Sequence, residues 1–271
     1  MLGYFGSAQI GGTTFLFTGG GINLTRNRMD SSASFGGQTA TAGSVGLGVP
    51  HQYDYQSYEG SLEFELDDAG TLLGMFQTWI TQRNQARTIV IRPNGSSTNS
   101  FSGYWNSMSF SGSTSSLVTG SVGFVALTAT MSAGETYPTP PAAGGIVTPV
   151  VFTLKPLAYW QTKVNIGGDL DCISWTLNFN QDVVKFFTCQ GQSSAQAPKY
   201  VAVGPLNGDF QCEVLLTAGI PTDTASPVLT LASHSFTFTD SELNNTGQSL
   251  KSGSDVLSFP MQYQLYGYTY A

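Results

Sequence analysis

The sequence predicts a mainly β protein, built as two tandem antiparallel β-sandwich or barrel-like domains, the first with one flanking α-helix. Three observations lead there. Short runs rich in Val, Ile, Thr, Phe and Tyr alternate with polar residues between Gly, Ser and Asn turns, the pattern of half-buried strands. Helical spacing of apolar residues occurs once, at Leu72, Leu73, Phe76, Trp79 and Ile80. A stretch rich in Pro and Gly, residues 132–148, separates two segments that follow the same order of elements.

The first domain, residues 1–131, is anchored by Glu59 to Arg92. Leu62, Phe64 and Leu66 alternate with Ser61, Glu63 and Glu65, so one strand face is wet. Asp67, Asp68 and Thr71 supply the start of a helix over residues 71–83, whose positive end favours carboxylates. Thr88 to Arg92 returns to strand chemistry and Pro93-Asn94-Gly95 turns it. Upstream, Thr13 to Phe17 and Ile22 to Arg26 read as a strand pair around a turn at Thr18-Gly19-Gly20-Gly21. Residues 29–58 lack periodicity and read as a long loop. Downstream, Phe101 to Phe110 and Leu117 to Thr130 form a hairpin turned by residues 111–116. Its alternation places Tyr104, Asn106, Met108 and Phe110 on one side and lets Trp105 face outward; Trp79 is assigned to the core.

The second domain, residues 149–271, repeats this order. Ile166-Gly167-Gly168 answers Ile10-Gly11-Gly12, and Ile173 to Asn180 answers the strand from Ile22. Asp209 to Leu216, entered through Gly208, answers Ser61 to Leu66, entered through Gly60. Val228 to Ala232, Ser235 to Thr239 and Val256 to Leu265 repeat the closing strands. The helix has no counterpart, because the segment between Leu216 and Val228 is short and proline-containing. The terminal YQLYGYTYA carries Tyr263, Leu265, Gly267 and Thr269 on one face and Tyr266, Tyr268 and Tyr270 on the other, as if both faces were covered.

The chemistry of catalysis is sparse. His51 and His234 are the chain's 2 histidines, His51 in the loop and His234 opening a strand, which leaves little for acid–base work. The carboxylate pairs Glu63/Glu65 and Asp67/Asp68 lie on a wet strand face and at a helix start, where solvation and capping explain them. Gly19-Gly20-Gly21 precedes a strand rather than a helix, so it is no phosphate cradle. Cys172, Cys189 and Cys212 lack C-x-x-C spacing and read as small buried or half-buried thiols. No enzyme, cofactor or metal is expected. Neither a signal peptide nor a membrane span is expected. A net charge of -7 argues against a nucleic-acid clamp, which needs cations for the phosphates. The first domain, the linker and the second domain carry -2, -1 and -4.

The glycine-rich loop, the strand SLEFEL, the helix TLLGMFQTWITQR and the closing hairpin LVTGSVGFVALTA together resemble the tail tube proteins of long-tailed bacteriophages. The resemblance implies a β-sandwich with one flanking helix, whose copies join their sheets around a ring and reach the adjoining ring with the long loop. Two diverged copies in one chain look like the fused form, in which three chains make a pseudo-sixfold ring. It implies a virion protein assembled in the host cytoplasm, whose partners are itself and other tail proteins, with DNA passing through the lumen without specific binding. The inter-ring candidates are the loop Gly36 to Tyr58, with Gly36, Gly37, Gly46, Gly48, Tyr53, Tyr55 and Tyr58, and the loop Gln190 to Gly204, with Gln192, Lys199 and Tyr200. Glu63 and Glu65 are the candidates for lumen-facing acids, which would repel DNA phosphates. A baseplate or terminator ring protein, or a β-sandwich carbohydrate-binding module, stays open as an alternative.

Overall fold

A computed structural model describes residues 6–30, 51–92, 98–130, 155–187, 198–215, 226–246 and 258–271. The first group of elements is β1 (Ser7–Ile10), β2 (Thr13–Asp30), β3 (His51–Glu65), α1 (Thr71–Thr81), β4 (Arg87–Arg92), β5 (Asn99–Ser113) and β6 (Thr119–Thr130). The second group is β7 (Thr162–Asn165), β8 (Asp169–Phe186), β9 (Tyr200–Leu215), β10 (Val228–Leu231), β11 (His234–Thr246) and β12 (Ser258–Tyr270).

Hydrogen bonding sorts these strands into two closed circuits. The first runs β4-β1-β2-β3-β6-β5, and β5 returns to β4. The second runs β10-β7-β8-β9-β12-β11, and β11 returns to β10. Adding six to each label of the first circuit gives the second, and every described pairing within them is antiparallel. One further antiparallel pairing, Ser107↔Asn180 through Ser113↔Ser174, joins β5 to β8. Among the described residues the outcome is a single 12-stranded sheet that closes on itself twice, and the buried side chains of the two circuits form one hydrophobic cluster.

Alternation fills each core. Leu62 and Phe64 point inward from β3, Leu66 does so just after it, and Phe210, Cys212 and Val214 do so from β9. Phe76 of α1 stacks on Phe64 at 4.6 Å and meets Phe15 and Phe110 edge-on. Trp105 Nε1 donates to the Trp79 carbonyl at 3.1 Å, which ties α1 to β5. The helix begins where the sequence places it. The Asp67 carboxylate accepts the backbone N–H groups of Thr71 and Leu72, each at 2.8 Å, and satisfies two otherwise unpaired donors. Gly70 takes the left-handed N-cap position at φ 71°, where a Cβ would also strike the His234 ring.

Four expectations need correction. The glycine run is not a turn: β2 continues through it, with a register shift between Phe17 and Gly19. Gly20 has φ 148°, and a Cβ there would run into the Ser61 carbonyl oxygen, so the glycines serve a bulge. Trp105 does not face outward; it is 0% exposed, because a second register shift between Trp105 and Ser107 resets the alternation. The loop expected over residues 29–58 is shorter, since β2 extends to Asp30 and β3 begins at His51. In the terminal strand, Thr269 is exposed while Tyr268 and Tyr270 pack on the core, because β12 shifts register against β11 near Gly267.

Candidate assembly site

Strands β5 and β8 each divide one edge between two partners. The start of β5 pairs with β4 and its later half with β8. The start of β8 pairs with β7 and its next stretch with β5. The corresponding strands, β11 and β2, begin alike, β11 on β10 and β2 on β1. Beyond those short pairings, no described strand lies opposite the outer edge of either. Among the described residues, one seam is therefore made and two half-seams are open. Open edges carry unpaired N–H and C=O groups that template pairing with another chain.

The made seam is well secured. Gln181, 4% exposed, donates from Nε2 to the Trp105 carbonyl at 2.7 Å. Arg83 Nη1 donates to the Gly204 carbonyl at 2.9 Å, and Tyr268 Oη donates to Gln77 Oε1 at 3.2 Å. Lys185 Nζ meets Glu59 Oε1 at 3.1 Å. Helix α1 thus belongs to the first circuit by its core face and touches the second by its rim.

Long strands line up as β2-β3-β6-β5-β8-β9-β12-β11. On the side away from the cores this sheet presents Glu63 and Glu65 from β3, both exposed, with Ser109 and Ser111 from β5 and Thr176 and Asn178 from β8. Asp209, Glu213 and Glu242 extend the acidic character across the second circuit. Tyr266, also exposed, donates to Glu242 Oε2 at 3.2 Å, and that hydrogen bond raises the phenol pKa above its ordinary value. The face is polar and net acidic, with Lys185 neutralised by Glu59. A depression of about 320 Å³ between β8, β9 and β12 is lined by Ser174, Thr176, Gln211, Glu213 and Gln262, among others.

Exposed apolar side chains collect at opposite ends of the strands. Val184, Phe186 and Tyr200 stand at the foot of the β8–β9 hairpin. Leu117 and Trp160, the latter 81% exposed, stand at the β5–β6 turn, where Tyr159 N donates to the Ser116 carbonyl. Lys199 and Tyr200, expected in a loop, lie at that hairpin foot, both exposed, with Lys199 Nζ 5.5 Å from the Tyr200 ring centre. Tyr58 instead belongs to β3 and packs edge-on against Phe101 at 6.0 Å. Tyr53 and Tyr55 also belong to β3, but their side chains lie outside the described set, as do Gly36, Gly37, Gly46, Gly48 and Gln192. His51 is likewise in a strand rather than a loop. Sequence reading passed over Trp160, Val184 and Phe186, although an aromatic and a β-branched residue in VVKFF signal a two-sided apolar strand end.

Burial pushes the Cys172 thiol up to about 11 and Cys212 higher still, so both are protonated and weakly nucleophilic at neutral pH. Burial also raises Tyr159, whose hydroxyl donates to the Cys172 carbonyl. Among the described residues, no three His, Cys, Asp or Glu side chains gather where they could hold a metal ion. No described helix is long and apolar enough to cross a membrane.

A barrel-forming β protein with open edges, a polar sheet face and apolar ends is a protein whose surfaces serve assembly. The chain belongs to the phage tail tube protein family, whose profile matches residues 49–258, from the start of β3 to the start of β12. It is a structural protein of the phage tail. No individual curated protein matches it in sequence.

Proposed function

We propose that three copies close into a ring of six barrels, and that rings stack into the tube through which DNA leaves the capsid. The observation that carries this reading is the β5–β8 seam, which joins two circuits of one topology through the strand positions that each chain leaves open at its outer edges. A heterologous contact repeated around an axis closes into a ring when its rotation allows. The circuits are then two tube-like domains, residues 1–131 and 149–271, joined by the linker 132–148.

In such a ring the polar sheet face lines the lumen. Glu63 and Glu65, with Asp209, Glu213 and Glu242, repel phosphates and keep DNA sliding. Stacking brings opposite ends together, so Val184, Phe186 and Tyr200 of one ring meet Leu117 and Trp160 of the next. The loops that include Gly36 to Gly48 and Gln192 reach across the same boundary.

Negative-stain electron microscopy of the purified protein tests the reading. Rings with three chains, and tubes at higher concentration, are expected; monomers at every concentration and salt condition overturn it. Deleting residues 36–48, which leaves β2 and β3 whole, is expected to give rings that no longer stack. Trp160→Ala is expected to shorten tubes and leave rings intact.

A further inference from the structure

The seam inside the chain fixes the register of the seam between chains. In the first circuit one row of paired residues runs Met108–Val122–Leu62–Gly20. In the second the same row runs Leu243–Tyr263–Phe210–Leu177. A neighbouring row runs Trp105–Phe124–Gly60–Ile22 in the first and Ser241–Leu265–Gly208–Phe179 in the second. Met108 and Leu243 therefore hold one structural position, and Phe179 and Ile22 hold another. Across the made seam Met108 lies opposite Phe179, and each is 1% exposed.

Their counterparts are unfinished. Leu243 and Ile22 pack against the core from one side and are only half-buried, with no described strand on their outer edge. The flanking positions match as well. Ser107 lies opposite Asn180 within the chain, and their counterparts Glu242 and Asn23 are exposed polar residues on the open edges. Apolar residues left half-covered at an edge gain burial when a partner strand arrives.

We infer that β11 of one copy pairs antiparallel with β2 of a second copy, with Leu243 opposite Ile22 and Glu242 opposite Asn23. This rests on the ring reading and adds to it which edges meet and in which register. A one-residue slip would turn Leu243 and Ile22 onto opposite faces of the sheet, so burial enforces the register. The inter-chain seam differs from the internal one in chemistry: a carboxylate replaces Ser107, and Gly20, at the position of Leu177, replaces a large side chain.

Cysteine pairing tests it, in the full chain with Cys189→Ser. Asn23→Cys combined with Glu242→Cys is expected to give disulfide-linked dimers and trimers on oxidation, seen in denaturing gels without reductant. Asn23→Cys combined with Asp240→Cys, which is off register, is expected to link at least tenfold more slowly. Leu243→Glu is expected to abolish rings while the isolated chain keeps its circular dichroism spectrum. If rings are visible but the off-register pair links faster, or neither pair links, the register is overturned and the tube reading stands. If Leu243→Glu forms rings as the parent does, this edge is not the seam. If the parent chain forms no rings at all, both the seam and the tube reading fall.

Discussion

The two circuits share a pairing scheme and fill their interiors differently. The first places the α1 residues Leu72, Phe76, Trp79 and Ile80 against its strands. The second draws its bulk from strands, with Phe179, Phe210, Phe236, Phe238 and Tyr263 all buried. Phe210 lies 5.1 Å from Phe238, and Phe236 lies 5.2 Å from Tyr270. The strand order does not require the helix. It requires enough apolar volume between two faces, and either a helix or a set of aromatic strand residues supplies it. The helix has a second task in the first circuit only. Its rim meets Tyr268 through Gln77, and its N-cap Gly70 lies against His234, so it bridges the seam.

Breaking the helix-based core is the largest expected effect. Phe76→Ala removes a ring that touches Phe15, Phe64 and Phe110 and is expected to cost about 3–5 kcal/mol, measured by urea unfolding. If the circuits unfold as separate units, Phe76→Ala and Phe210→Ala will each shift a different transition. Coincident shifts in both variants show that the seam couples them.

Next is the seam itself. Gln181→Ala leaves the buried Trp105 carbonyl without its donor and is expected to cost about 1–3 kcal/mol. Asp67→Ala, which removes the helix cap, is expected to cost about 1 kcal/mol and to lower the melting temperature of the first circuit. Glu59→Gln at the partly exposed Lys185 pair is expected to change stability by about 0.5 kcal/mol or less, fading at high salt.

The smallest effect is a rate. Cys172 and Cys212 are expected to react slowly with a thiol reagent at pH 8 in the native chain. Their folded pKa values are raised, so the thiolate fraction grows only as pH climbs toward about 11 for Cys172. The sign for stability follows: an acid raised on folding favours the native state until the unfolded thiol ionises, and that advantage shrinks as pH rises above the unfolded value. Fast labelling of these two thiols at pH 8 would show that the second circuit opens locally in the native chain.

Alternation was enough to read the mainly β class, the inward faces of β3 and β9, the helix with its Asp67 start, and the wet position of Glu63 and Glu65. These depend on contacts near in sequence, where the strand period of two and the helical period of 3.6 leave a direct trace. The strand match was legible in part: Gly60 and Gly208, expected to open their strands, lie inside β3 and β9, yet they sit at one row of the two circuits. Only the tertiary structure decided what the bulges did. A single extra residue at Trp105 or in the glycine run reverses every side chain after it, and which partner strand absorbs it is not written locally. The same is true of the β5–β8 seam and of the edges left open, because hydrogen bonds between distant strands leave no period in the sequence and depend on which chain segment arrives beside which.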